Sequence, residues 1–239
     1  MKRDLITIGA ENFKYPTREE ILLIREEFPT ISKFNFKYVS PLTSILDKQN
    51  TLIETTRLNN LYWWDYCLNN KIWKLYETFI FTLTNYNRGL PEEINECKKE
   101  EVANHLLFDY YAEIYYYYYF SIAEIIAQII NVYYCMNIKE EKVQLNEEFL
   151  SKIKCNKVKE YSSIFIEATK KAKKIRNSSV HRFSPFENDY RCTIKKEKDI
   201  ISMGVGSGFR IQPFEIIINI KDSLSHLSSF MLELKGFIK

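Results

Sequence analysis

Glycine and proline are scarce in this chain, with six of each among 239 residues. Because these two residues end helices and shape tight turns, their scarcity argues against a protein made of many short strands and favours long helices. The net charge is also small, at +3. The overall charge therefore does not by itself indicate a nucleic-acid partner.

Cysteine is infrequent and scattered. None of the five cysteines forms a Cys-x-x-Cys pair, so the sequence gives no support for a zinc ribbon or a dithiol redox motif. They are Cys67, Cys97, Cys135, Cys155 and Cys192. We therefore expect reduced thiols in a cytoplasmic protein, with no metal ion and no cofactor.

Long uncharged apolar runs are nearly absent. The charged start Met1-Lys2-Arg3-Asp4 is not followed by the apolar segment of a signal peptide. Residues 114–136 carry a single charge, Glu124, but they include many tyrosines together with Gln128 and Asn131. Since hydroxyls and amides are costly in hydrocarbon, a buried central helix explains this segment better than a membrane span.

Aromatic residues are abundant, with 17 Tyr and 16 Phe, and they lie within long helical patterns. Apolar residues recur at steps of three, four or seven along about 56–86 and 98–134, along a third helix that begins after Asn146 or Asn156 and runs to about Arg176, and from Pro213 to about Leu234. The run Tyr115 to Tyr119 is aromatic on every helical face. We expect this helix to be enclosed by neighbouring helices or by a second subunit.

Shorter signals complete the architecture. Residues 1–50 are the least regular part of the chain. A capping box at Thr17-Arg-Glu-Glu20 begins a short helical pattern there, and the segment is interpreted as a helical or irregular N-terminal extension packed on a helical domain at 51–239. The segment from Asn177 to Pro185 consists of cap and turn residues and predicts a break. Residues 192–194 and 199–202 flank a charged turn and predict a small β-hairpin before the last helix. The predicted fold is all-α, an antiparallel helical bundle with one hairpin insertion.

A basic segment precedes that predicted break. Five cations occupy seven residues from Lys170 to Arg176, and His181 follows five positions later. Arginine offers a planar, permanently charged fork that matches a phosphate, and histidine exchanges protons near neutral pH. A base for the 2′-hydroxyl, cations for the phosphoryl oxygens and an acid for the leaving oxygen are the components needed to cleave RNA without a metal.

The run Arg176-Asn177-Ser178-Ser179-Val180-His181 resembles the Arg-x4–6-His motif of the HEPN superfamily, including a small polar residue directly after the arginine. It also lies where that family keeps the motif, between the third and fourth core helices. The resemblance covers about residues 51–239 in architecture and six residues in motif. It implies a ribonuclease fold that forms a homodimer, with two motifs facing each other across one composite cleft.

The resemblance also implies roles for the motif residues. Arg176 would contact the scissile phosphate, His181 would serve in acid–base catalysis, and Asn177 would orient one of them or the phosphate. Lys173, Lys174 and Arg182 are close in sequence and would extend the RNA-binding surface. Some relatives that are paired with a nucleotidyltransferase antitoxin carry a tyrosine two residues after the histidine, but this chain has Phe183. Regulation by modification of that tyrosine is therefore not expected here.

Other candidate sites have weaker support. His105 and His226 are interpreted as ordinary structural histidines. Glu113 and Glu124, eleven residues apart, are predicted to share a helical face as buried partners of tyrosine hydroxyls or as interface groups. The glycines at 204–208 lack the Gly-Lys-Ser/Thr ending of a phosphate loop and predict a turn.

Two functional hypotheses remain open from the sequence. One is a metal-independent endoribonuclease used as a toxin or as an abortive-infection effector against phage, with RNA as substrate and with an antitoxin or defence-system protein as a further partner. The other is a non-catalytic module that uses the same cleft to bind RNA or a nucleotide or to regulate a partner protein, since fold does not determine function. A purely structural helical scaffold is a third, weaker alternative.

Overall fold

A computed structural model of the protein describes residues 8–46, 51–90, 98–182, 184–197, 200–206 and 210–238. The predicted all-α fold with one small hairpin is confirmed. Its helices are α1 (Arg18–Arg25), α2 (Pro41–Leu46), α3 (Leu52–Asn87), α4 (Lys99–Tyr133), α5 (Glu147–Lys152), α6 (Asn156–Ala168), α7 (Lys170–His181) and α8 (Pro213–Lys235), and its strands are β1 (Cys192–Glu197) and β2 (Ile200–Val205).

Helices α3 and α4 form the frame of the bundle. They contain 36 and 35 residues, so each is about 50 Å long at 1.5 Å per residue. The two helices are antiparallel. Arg57 near the start of α3 lies over the ring of Tyr133 at the end of α4, and Phe81 near the end of α3 packs on Tyr111. Among the described residues, no helix is both long enough and apolar enough to cross a bilayer.

Helix α8 packs against the tyrosine run of α4 and accepts the hydrogen bonds of its buried hydroxyls. Tyr115, Tyr116 and Tyr119 are buried, and their hydroxyls donate to Ile220 O at 3.1 Å, Asn219 Oδ1 at 2.8 Å and Ser223 O at 2.9 Å. Burial raises the pKa of all three hydroxyls above the usual value. Buried rings with satisfied hydroxyls thus join α4 to α8.

The prediction for Glu113 and Glu124 as buried partners of these tyrosines is wrong. Both glutamates are exposed on α4. The tyrosine hydroxyls find amide, hydroxyl and carbonyl groups of α8 instead, which need no ionised group to be taken out of water.

Substitution of Tyr116 by phenylalanine should lower the free energy of unfolding by about 1–2 kcal/mol, because Asn219 Oδ1 loses its buried donor. Denaturant unfolding followed by circular dichroism would measure it. Tyr117→Phe is the matched control, because Tyr117 is 53% exposed and should change the free energy by less than about 0.5 kcal/mol. Equal effects of the two substitutions would contradict the role given to the buried hydroxyl.

The N-terminal segment lies against α3 through polar anchors. Thr17 and Glu20 form the predicted capping box at the start of α1. The same Glu20 receives the Arg88 guanidinium at 2.7 Å, and this contact holds the pKa of the carboxyl below its usual value. Asp65 of α3 accepts a hydrogen bond from the Phe36 amide at 3.2 Å. These contacts fix residues 14–36 on the end and the flank of α3.

The third predicted helix is in fact three helices, α5 to α7, with a narrow break at Thr169. Helix α7 then continues to His181, so the chain break that was predicted at Asn177 begins only at Arg182, whose backbone is extended. No glycine or proline interrupts Asn177–His181, and Asn and Ser cost only about 0.7 kcal/mol or less per residue in a helix. The Ser179 hydroxyl also bonds to Ile175 O at 3.2 Å, four residues back, and so does not compete with the helix.

The predicted hairpin is confirmed, but its strands are longer than expected. Cys192 pairs with Val205 and Glu197 with Ile200 in antiparallel register. The glycine segment therefore lies partly within β2, which contains Gly204, rather than wholly in a turn.

Candidate functional site

Helix α7 presents a buried face and a basic face. Ala172 and Ile175 are buried against the neighbouring helices, whereas Lys173, Lys174 and His181 are exposed. The helical period thus places the apolar residues of this basic segment on the buried face, and Lys173, Lys174 and His181 on the outside of the bundle.

Arg176 and His181 lie on one continuous helix, so their side chains leave the helix axis in different directions. At about 100° per residue, five positions correspond to about 140° around the axis and a rise of about 7.5 Å. Arg176 is half-buried at the edge of the packed face, and His181 is exposed at the last helical residue. The spacing alone therefore does not bring the two side chains to one side, as a helix break would have allowed.

Asn177 follows Arg176 directly and contacts it. The Arg176 guanidinium donates from Nη1 to Asn177 Oδ1 at 3.2 Å, while its Nε is buried without a hydrogen-bond partner among the described residues. Asn177 precedes His181 by four positions, and residues at this spacing are neighbours on a helix surface. We name Arg176, Asn177 and His181, as they are arranged on α7, the α7 ridge.

Lysines extend the α7 ridge toward the start of the helix. Lys173 and Lys174 precede Asn177 by four and three positions, and Lys174 precedes His181 by seven, so all lie near the same face. Arg182 is exposed just beyond the helix, and its amide donates to Ser178 O at 3.0 Å. This surface offers several cations to a polyanion.

If Lys173 and Lys174 bind phosphates, the double substitution Lys173→Ala/Lys174→Ala should weaken RNA binding and lower the slope of log K against log salt by about 1.4 for single-stranded RNA. Fluorescence anisotropy at several salt concentrations would measure both. Lys157→Ala/Lys159→Ala on α6 is the matched control for lost charge. An unchanged slope in the α7 variant would mean that these lysines form only a solvated face.

The turn after α7 is fastened to α4. The Ser184 hydroxyl donates to Glu113 Oε1 at 3.1 Å, and Ile211 N donates to Pro185 O at 3.0 Å. Partial burial raises the pKa of the Glu113 carboxyl, the hydrogen bond from Ser184 lowers it, and the charges of Asp109 and Glu187 raise it further. The end of α7 is thus held beside a group of carboxylates on α4 and in the turn.

Sequence reasoning missed a polar cluster next to this turn. His105 Nε2 lies 2.6 Å from Arg210 Nη1 and 3.1 Å from Asp109 Oδ2. The three groups line a pocket of about 250 Å³ together with Val102, Leu106, Phe186, Glu187 and Asn188. The spacing of His105 and Asp109, four apart, was a local signal, but the approach of Arg210 was not visible in the sequence.

The described residues include no group of three or more His, Cys, Asp or Glu side chains arranged to hold a metal ion. Several positions considered in the sequence lie outside the described residues. They are Met1 to Asp4, Cys97, Phe183 after the motif, Asp199 at the start of the second predicted strand, and Gly208 in the glycine segment.

Comparison with protein families gives one match for the region that contains these features. The family model described as HEPN_Cthe2314-like HEPN matches residues 63–234. The match extends from within α3 into α8 and includes the α7 ridge, the hairpin and the pocket. No curated protein and no solved structure matches the chain.

Proposed function

Since the chain belongs to the HEPN_Cthe2314-like HEPN family, we propose that it is a metal-independent endoribonuclease that cleaves RNA through attack of a 2′-hydroxyl on the neighbouring phosphate. The observation that carries this proposal is the α7 ridge. It combines a guanidinium directed by Asn177, an exposed imidazole four residues further along the helix, and exposed lysines on the same surface.

The chemistry assigns a role to each of these groups. An imidazole takes the proton of the 2′-hydroxyl, whose oxygen then bonds to phosphorus, while a protonated imidazole gives a proton to the departing 5′-oxygen. Arg176 stabilises the charge that develops on the phosphoryl oxygens. The products are a 2′,3′-cyclic phosphate and a 5′-hydroxyl.

A second copy of the chain completes this arrangement. One α7 ridge carries one histidine, whereas the reaction uses both a base and an acid. Two ridges that face each other across a two-fold axis would place two imidazoles and two guanidinium groups around one phosphate. The 140° divergence within a single helix also favours an arginine and a histidine that come from different copies.

The direct test is cleavage of a single-stranded RNA by the purified protein in the presence of EDTA. We expect cleavage to continue and the upstream fragment to end in a 2′,3′-cyclic phosphate, which mass spectrometry distinguishes from a linear phosphate by the loss of one water. Loss of all cutting with EDTA, regained with Mg²⁺, would reject the metal-independent mechanism.

We further propose that the nuclease acts as a toxin or an anti-phage effector, with an antitoxin or another defence protein as its partner. Expression of the wild type in a bacterial host should then slow growth, and expression of the His181→Ala variant should not. Equal growth of the two strains, with both proteins present in equal amounts, would remove this role.

A non-catalytic RNA-binding or nucleotide-binding module is the second candidate. It is favoured by one observation, the half-burial of Arg176 and its hydrogen bond to Asn177, which leave Lys173, Lys174 and Arg182 as the exposed cations beside the histidine in a single copy. This alternative expects salt-dependent RNA binding with no cleavage.

A further inference from the structure

The pocket beside the turn after α7 has two kinds of wall. Its accessible lining is mostly apolar and includes Val102, Leu106 and Phe186, to which His105, Asp109 and Arg210 add a small amount of polar surface. Its volume of about 250 Å³ is slightly below the roughly 300 Å³ at which pockets for drug-sized ligands begin. It therefore has room for one flat heterocycle rather than for a whole nucleotide.

The charges in and around the pocket oppose a phosphate. Asp109 and Glu187 both line it, and Glu113 lies close enough that these two carboxylates raise its pKa. A single guanidinium, Arg210, faces these groups. A phosphate group inside the pocket would be repelled, whereas a neutral ring with both N–H donors and ring acceptors would find a partner for each.

Guanine has that combination of groups. Its N1–H and its exocyclic amino group form adjacent donors that one carboxylate accepts together, and its O6 and N7 form the acceptor pair that an arginine fork binds. The contact of Asp109 Oδ2 with His105 uses one of the roughly four lone-pair sites of a carboxylate, so both oxygens can still accept from the base. Only one nitrogen of Arg210 is engaged with His105.

One further feature marks the cluster as accessible to a ligand rather than a closed structural contact. The side chain of Asp109 keeps 27% of its surface accessible, and Leu106 is 50% exposed. His105 Nδ1, by contrast, is buried. The cluster is therefore accessible at Asp109 and Leu106.

The pocket is also close to the α7 ridge along the chain. Phe186 follows His181 by five positions, so at most about 18 Å of chain lies between them. Hydrogen bonds from Ser184 to Glu113 and from Ile211 to Pro185 fix the turn between the two. A base within a few nucleotides of a phosphate held at His181 can thus reach the pocket.

We propose that the pocket formed by His105, Asp109 and Arg210 binds a guanine base, with Asp109 accepting from N1–H and the amino group and with Arg210 donating to O6 and N7. Used together with the proposed nuclease activity, on which this second step rests, the site selects RNA that carries a guanosine near the scissile phosphate.

The base itself is tested with free nucleotides, independently of any cleavage. Isothermal titration of the full chain with GMP, IMP and AMP should give the tightest binding for GMP. Inosine lacks the exocyclic amino group, so IMP should bind at least about fivefold more weakly, and AMP, which has neither N1–H nor O6, at least about tenfold more weakly. Equal affinity for the three nucleotides, or no binding at millimolar concentration, would overturn the proposal.

Variants connect the preference to the named atoms. In Asp109→Asn the amide presents a donor to the guanine amino group, so the difference in affinity between GMP and IMP should disappear. Arg210→Met should weaken the binding of GMP and of IMP by at least about tenfold. Asp222→Asn, exposed on α8, is the matched control and should keep the full preference. A persistent preference for GMP in a folded Asp109→Asn protein would contradict the assignment.

Cleavage of RNA tests whether the bound guanine belongs to the RNA substrate. Oligonucleotides without guanosine should be cut poorly. In a series with one guanosine moved along the strand, the cut should follow at a fixed offset from that guanosine. Replacement of the guanosine by inosine should reduce cutting in the wild type but not in Asp109→Asn. Binding of GMP without any cutting of RNA would keep the guanine site and reject the nuclease. Cutting that ignores guanosine, with no binding of GMP, would keep the nuclease and reject the guanine site.

Discussion

Substitution of His181 by alanine should lower the rate of RNA cleavage by about 10²- to 10⁴-fold, because proton transfer by a positioned side chain contributes that much to catalysis. The fold should be unaffected, since His181 is exposed at the end of α7 and exposed substitutions usually change stability by less than about 0.5 kcal/mol. Initial rates on a fluorescent single-stranded RNA, together with thermal unfolding, would measure both effects.

His226→Ala is the matched control for this experiment. His226 is also exposed and helical, on α8, so its loss removes an imidazole of the same kind from a different surface. RNA binding should remain in both variants. Cleavage by His181→Ala at the rate of the wild type would remove the histidine from the mechanism.

The frame of the fold could be predicted from the sequence because it is encoded locally. The apolar repeats of α3, α4 and α8 recur over many turns, and each turn repeats the same signal. The capping box at Thr17 and Glu20 involves residues three apart and is equally visible. The partners of the buried tyrosines could not be found in this way, since Tyr116 and Asn219 are 103 residues apart and no periodicity connects them.

The candidate site was only partly visible for a related reason. The motif residues could be identified from their chemistry and from the family resemblance, but their geometry depended on whether Asn177–His181 forms a turn or a helix. Weak propensities of Asn and Ser left that undecided, and the structure continues α7 through these residues to His181. The guanine pocket needed the approach of Arg210 to His105, which are 105 residues apart.

Substitution of Arg176 by alanine should lower cleavage by about 10²- to 10³-fold, because one preorganised cation at the developing phosphoryl charge is lost. Arg176→Lys should recover little of this, since an ammonium group cannot reproduce the fork that donates to Asn177 and to phosphate together. Arg25→Ala on α1, an exposed arginine, should have no effect on the rate. Wild-type kinetics in Arg176→Ala would exclude the guanidinium from the reaction.

A mixed dimer distinguishes a shared cleft from two separate sites. Arg176→Ala and His181→Ala subunits that carry different affinity tags can be purified as heterodimers, each of which retains one arginine and one histidine. If two α7 ridges form one cleft, these groups meet around the same phosphate, and cleavage should rise well above that of either mutant homodimer. If each copy works alone, every site in the heterodimer lacks one group and no recovery occurs. The heterodimer keeps one imidazole where the proposed reaction uses two, so the recovered rate should stay below that of the wild type. The divergence of Arg176 and His181 on a single helix favours recovery over two separate sites.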